Sequence, residues 1–174
     1  DSAILLLLVE TGLKVSELVD LKVEDLRLES KTGACGRQGR VMVRRNHSSD
    51  QNHGPERSQR SSRNGSLHEE LQTQGRWLKL GPSVCEVLET WMRVRVLDRA
   101  SRNGGATDSW LFVNRRGQPL SVRSVQRLVS QYARVAGLEG VSARTLRHTF
   151  ARRILERDVD LVEVARMLGL SDVA

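Results

Sequence analysis

The sequence predicts an α+β fold, largely helical with one small antiparallel sheet, and three observations carry that reading. From Pro82 onward apolar residues return at intervals of three and four through successive segments, two of which are closed by Gly137 and Gly169. Two short β-type runs, Val41 to Val43 and Arg76 to Leu80, flank a long polar stretch, which is the layout of a hairpin. At 174 residues and 19.5 kDa the chain suits one domain with a core of its own.

Taken in order, Ala3 to Glu10 reads as the end of a buried helix, stopped at Thr11-Gly12 where glycine can take the left-handed conformation. The chain is therefore expected to begin inside an element. Val15 to Leu18 and Val23 to Leu28 place apolar residues at the spacing of compact helical turns. Val41 to Val43 is a strand ending in the basic rim of Arg44 and Arg45, and Arg76 to Leu80 is its partner. Between them, residues 46–73 carry only Leu67 and Leu71 as aliphatic side chains, which predicts a flexible polar insertion that cannot bury enough surface to order itself. Ser83 and Glu86 form a capping box for a helix with Val84, Leu88 and Trp91 inward. Ser101 to Ser109 is a polar linker, Trp110 to Val113 a strand or an extended packing segment, and Asn114 to Gly117 a turn. Ser121 caps a helix whose buried stripe is Val122, Val125, Val129, Tyr132 and Ala136. The next helix runs from about Arg144 to Arg157 with Leu146, Phe150 and Ile154 inward. Asp160 and Glu163 then cap a last helix bearing Leu161, Val164, Ala165 and Leu168.

Composition narrows the function. The longest apolar run, Ala3 to Val9, is far below the roughly 20 residues a bilayer crossing needs, so no membrane partner is expected. Cys35 and Cys85 stand outside any CxxC or Cys/His cluster, which argues against a disulfide scaffold or a thiolate zinc site and for a reduced, intracellular setting. His47, His53 and His68 lack a paired carboxylate at metal-ligand spacing, and the stretch from Lys31 to Arg37 lacks the Gly-Lys-Ser/Thr ending of a phosphate loop. Neither a metal nor any other cofactor is expected. The net charge is +7 with 24 arginines among 28 basic residues, and residues 31–174 alone carry +11. Arginine in such excess suits bidentate phosphate contacts, and its uneven distribution suggests one face turned to a polyanion.

The sharpest constellation is Arg144, Arg147 and His148, at i, i+3 and i+4 of one helix. Two guanidiniums and an imidazole on a packed helix can hold a phosphate through charge-assisted bonds. Arg44, Arg45 and Arg76 at the hairpin are further candidates for phosphate contact.

Two stretches, ETGLKVSELVDLKVEDL near the start and VSARTLRHTFARRILERDVDLVEVARMLGLSDVA at the end, resemble the signature boxes of the tyrosine site-specific recombinases, the phage-integrase and Xer-like family. RWLKLGPSVCEVLETW and LFVNRRGQPLSVRSVQRLVSQYARVAGL resemble that family's intervening segments. The resemblance implies a mainly helical catalytic domain with a small antiparallel sheet, spanning residues 1–174 and cut at both ends. It implies attack of a tyrosine on a DNA phosphodiester, a 3′-phosphotyrosyl link resolved by the 5′-hydroxyl of another strand, and no metal or nucleotide. Its partners would be double-stranded DNA and other recombinase protomers, and its location cytoplasmic, with the nucleoid when DNA-bound.

Residue by residue the match is incomplete. Arg147 matches the family's phosphate ligand, His148 the supporting residue after it, and Glu17 the box carboxylate that buttresses the site. Lys14 stands where the first box has arginine, which keeps the charge and loses the fork. Arg144 stands where the helix box has histidine and cannot act as a base near neutral pH. Leu170 replaces a histidine or tryptophan, no lysine precedes Arg76 between Gln72 and Gly75, and the nucleophilic tyrosine would fall beyond Ala174. The resemblance thus implies site-specific DNA recombination as the ancestral activity and a chain that does not cleave as written. A non-catalytic DNA-binding remnant or regulator is the alternative.

Overall fold

The computed structural model describes residues 1–29, 38–44, 75–100 and 109–170. The expected insertion at 46–73, with its three histidines, Leu67 and Leu71, lies outside them, as do Arg45, Cys35, the Lys31 to Arg37 stretch and residues 101–108 of the linker.

Helix α1 (Ser2–Thr11) closes as its sequence predicts, on Gly12 at φ 63°, whose N–H donates to the Leu8 carbonyl at 3.1 Å. Glycine is required there twice over, because a Cβ would strike the Phe150 ring and come within 3.1 Å of Leu168. Helix α2 (Val15–Val19) follows at once. The helical turns expected over Val23 to Leu28 stop at a 3₁₀ turn, Val23–Asp25, and strand β1 (Leu26–Leu28) takes over. Arg27 faces outward between two inward leucines, and at a period of two the backbone satisfies its polar groups on a neighbouring strand rather than on itself.

That neighbour is β2 (Gly39–Val43), which pairs in turn with β3 (Arg76–Leu80) in an antiparallel sheet of order β1-β2-β3. The register sets Leu26 against Val41 and Val41 against Leu78, so one face is aliphatic. Helix α3 (Pro82–Ala100) starts one residue before the expected Ser83 cap. The Gly81 carbonyl accepts the Cys85 N–H at 3.1 Å, and Pro82, which has no N–H to satisfy, occupies the first helical position.

From Trp110 to Val113 the chain bends between two single bridges, Trp110 to Lys22 and Val113 to Pro119, in place of the expected strand or extended segment; the Leu111 N–H on the Leu21 carbonyl at 2.7 Å holds it, and Leu111 and Phe112 are buried. Trp91 of α3 packs on Phe112 with ring centroids 6.0 Å apart and donates its indole N–H to the Leu111 carbonyl. Helix α4 (Val122–Val135) is capped by Ser121, which accepts the Ser124 N–H at 3.1 Å. Its expected stripe needs correction: Val125, Val129 and Ala133 are buried, whereas Tyr132 is 41% exposed and its hydroxyl donates to Asp1. Ala136 is exposed as well. Val122, at the start of the helix, is 37% exposed too, so the face that meets the core is the narrower line of Val125, Val129 and Ala133.

Helix α5 (Ala143–Leu155) is capped by Ser142 and Thr145, and α6 (Leu161–Leu168) closes on Gly169 at φ 65°. The capping box expected from Asp160 and Glu163 does not form, because Glu163 turns to Arg166 at 3.0 Å and the Asp160 side chain makes no cap bond. One core joins α1, the sheet, α3 and α4 through Leu7, Val41, Leu88 and Val125, and a smaller cluster of Phe150, Val164 and Leu168 seats α6 on α5. This packing brings the start of α2, the start of β3, the middle of α5 and the end of α6 to one place.

Candidate phosphate-binding site

Arg76 opens β3 and shares the inward parity of Leu78 and Leu80. It meets Glu17, the third residue of α2, in a two-pronged ion pair with Nη1 on Oε1 and Nη2 on Oε2, each at 2.9 Å. Its Nε donates to the Met167 carbonyl at 2.7 Å, so all three nitrogens are engaged. Glu17 also reaches back to accept the Lys14 backbone N–H at 2.8 Å, which closes the first turn of α2. Gly169 makes room for this arrangement, since a Cβ there would sit 2.5 Å from Arg76 Nη1.

Arg147 comes from α5 and donates Nη1 to the Gly12 carbonyl at 2.8 Å and Nη2 to the Leu168 carbonyl at 2.6 Å. Both acceptors sit at helix C-termini, where the unpaired carbonyls concentrate partial negative charge. Arg147 Nη1 is also 4.0 Å from Glu17 Oε2. The side chains of Arg76, Glu17 and Arg147 are 17%, 12% and 16% exposed, so the group is sheltered but open on one side.

Two guanidiniums share one carboxylate, which leaves a single positive charge in excess. Burial pushes the Arg147 pKa down, the Glu17 charge pulls it up, and the Arg76 charge pushes it down again. Arginine is so weak an acid that the guanidinium still stays charged at neutral pH. With two of its five N–H groups on carbonyls, Arg147 retains donors for an anionic oxygen, and such an oxygen relieves the repulsion from Arg76.

The other candidates are placed differently. Arg144, Arg147 and His148 do not leave one side of α5: Arg144 and His148 are exposed and joined to each other, Nε to Nε2 at 3.3 Å, while Arg147 turns inward. Residues three and four apart lie about 60° and 40° to opposite sides of the first, so Arg147 and His148 are about 100° apart around the helix, and here that step separates interior from rim. Lys14 is exposed beside the cluster. Arg44 is spoken for: Nε and Nη2 hold the buried Asp25 at 2.9 and 2.8 Å, Nη2 also reaches Glu24, and the Asp25 hydrogen bond is the main reason that its pKa is raised. Leu170 is half exposed, and Tyr132 lies on α4 with its hydroxyl on Asp1. Among the described residues no cluster of His, Cys, Asp or Glu has a metal-binding arrangement, and no helix is long and apolar enough to cross a membrane. Missing from the sequence reading are the carbonyls of Gly12, Met167 and Leu168; the glycine caps were visible, their convergence on two arginines was not.

The chain is 31% identical over 170 residues to tyrosine recombinase XerC of Thermodesulfovibrio yellowstonii, covering 97% of this chain and 46% of that protein. It is 29% identical over 181 residues to tyrosine recombinase XerD of Staphylococcus saprophyticus, covering 100% of this chain and 47% of that protein. The chain therefore spans less than half the length of these relatives. In fold it is similar to the XerA recombinase, with a TM-score of 0.65 at 22% identity over 98% of this chain and 48% of the other. It is likewise similar to the XerH site-specific recombinase bound to its difH substrate, with a TM-score of 0.67 at 20% identity over 98% of this chain and 39% of the other. The phage integrase family model matches residues 1–174 throughout, and the chain accordingly belongs to the phage integrase family of tyrosine recombinases.

Proposed function

We propose that residues 1–174 form part of the catalytic domain of a site-specific DNA recombinase, and that the Arg76–Glu17–Arg147 cluster receives a DNA phosphodiester through Arg147. The observation that carries this is the uncompensated positive charge of that sheltered cluster, with N–H donors of Arg147 left over. Arg147 would grip the non-bridging oxygens, with Lys14, Arg144 and His148 on the exposed rim as further cations or donors, and Glu17 and Arg76 would hold Arg147 in place. Double-stranded DNA is the partner, other protomers of the same kind would join it in strand exchange, and the protein would work in the cytoplasm on the nucleoid. The relatives' names, tyrosine recombinases XerC and XerD, support the reading.

These 174 residues would bind DNA without cutting it. Strand cleavage by this chemistry requires a tyrosine hydroxyl in line with the leaving oxygen and an acid to protonate it. The one tyrosine, Tyr132, sits on α4 bonded to Asp1, and Arg144 supplies charge and hydrogen bonds but no proton transfer. Arg144 in place of a proton-transferring histidine favours, as a second reading, a binding module or regulator derived from a recombinase.

Titration against duplex DNA tests the proposal. Arg147→Ala should weaken binding by about 1.5 to 3 kcal/mol, the worth of a charge-assisted contact. Arg152→Ala, which removes a surface arginine paired with Glu156, should leave affinity unchanged. Equal losses from both would replace the site with a diffuse basic surface.

A further inference from the structure

The sheet has a second face, turned away from the cluster just described. In register across its three strands, Arg27 of β1 stands opposite Arg40 of β2, and Arg40 opposite Lys79 of β3. All three are exposed, and none has an ion-pair partner among the described residues. Glu29 at the end of the same edge forms no ion pair with them among the described residues. Like charges placed directly opposite one another destabilise a sheet, so the row costs stability for as long as it lacks a counter-charge.

An aromatic side chain completes the face. Trp77, on the same side of β3, is 44% exposed, and the Arg40 guanidinium lies over its ring at 5.0 Å from the centroid. Stacking of this kind fixes the guanidinium without consuming its N–H donors. The indole N–H has no acceptor among the described residues.

We infer that this outer face of β1-β2-β3 is a second contact for duplex DNA, in which Arg27, Arg40 and Lys79 take successive phosphates of one strand and Trp77 lies against the sugar-phosphate backbone. Charge spacing favours this occupant. Neighbouring strands are about 4.8 Å apart, so the row spans roughly 10 Å. One strand of duplex DNA advances about 3.4 Å along the axis per phosphate, so three successive phosphates cover roughly 7 Å of axis and fall within reach of three long cationic side chains. Arg76 points to the opposite side of the sheet, so the phosphates gripped here are not the one at Arg147. The inference takes DNA as the polyanion from the proposed function and is otherwise independent of the Arg147 site.

The test compares the full chain with the variant Arg27→Gln/Arg40→Gln/Lys79→Gln on one duplex over a range of salt. Three lost phosphate contacts should make the slope of log affinity against log salt shallower by about 2.7. Trp77 emission, isolated as the difference from Trp77→Phe, should change when duplex is added to the parent chain. Circular dichroism and thermal melting of the triple variant should stay close to those of the parent chain, since the repulsion removed offsets the lost contact of Arg40 with Trp77. An unchanged slope, or Trp77 emission indifferent to DNA, would overturn the inference. So would a poly-glutamate peptide of equal charge perturbing Trp77 as strongly as DNA does, which would mark the face as a site for acidic protein. Arg147→Ala separates the two proposals: it should lower affinity while the Trp77 response persists, whereas a normal Trp77 response with no effect of Arg147→Ala would sink the phosphate site alone.

Discussion

Replacing Glu17 with glutamine removes the carboxylate on which two guanidiniums depend. Arg76 holds it through two bonds of 2.9 Å, and Arg147 stands 4.0 Å away. Were these groups solvent-exposed, the loss would be about 1 kcal/mol or less, because water would take the carboxylate's place. They are 12% to 17% exposed, so the Arg76 and Arg147 charges would be left facing each other with little solvent between them. Breaking a buried pair from one side costs about 3 to 5 kcal/mol, and Glu17→Gln should fall in that range. For a chain of this size that is a fall in Tm of roughly 6 to 20 °C. Urea unfolding followed by circular dichroism measures it directly, with an unchanged m value showing that the folded state is otherwise intact. Glu17→Gln/Arg76→Met should cost less than the sum of its single changes, since the second removes one of the stranded charges. A loss below 1 kcal/mol for Glu17→Gln, with additive singles, would show that the cluster is an ordinary surface network and would refute the argument.

Three further outcomes are expected. Gly12→Ala should lower stability by about 2 to 4 kcal/mol in the same urea assay, combining the left-handed backbone with overlap on Phe150. Leu88→Ala, at a fully buried position of α3, should cost about 2 to 5 kcal/mol through the cavity it leaves, and should not alter DNA affinity of the folded protein. Incubating the 174-residue chain with a nicked suicide duplex should yield no covalent adduct on a denaturing gel, and an adduct abolished by Tyr132→Phe would make Tyr132 a nucleophile.

Much of the fold was legible because the signals behind it are local. Glycine at the ends of α1 and α6, Ser121 before α4, and the alternation in β2 and β3 each declare an element from within a few residues, through backbone conformation and side-chain period. Burial was less legible. The spacing that placed Tyr132 in the core describes a stripe on an isolated helix, and only the packing of α4 decides where along that stripe the neighbours end. Strand β1 escaped for a related reason, since three residues carry too little pattern to outweigh a helical reading until β2 is there to pair with them. At the site, the sequence and its family resemblance offered Arg147 and Arg76 as candidates for phosphate contact and Glu17 as their support. They presented Arg144 and His148 as companions, yet tertiary structure set those two on the rim and Arg44 on Asp25. Glu17 and Arg76 are 59 positions apart and Gly12 and Arg147 are 135 apart, and no local rule reports such distances. The shared carboxylate, the helix-end carbonyls and the single excess charge exist only because α1, α2, β3, α5 and α6 meet, and their meeting is a property of the whole core.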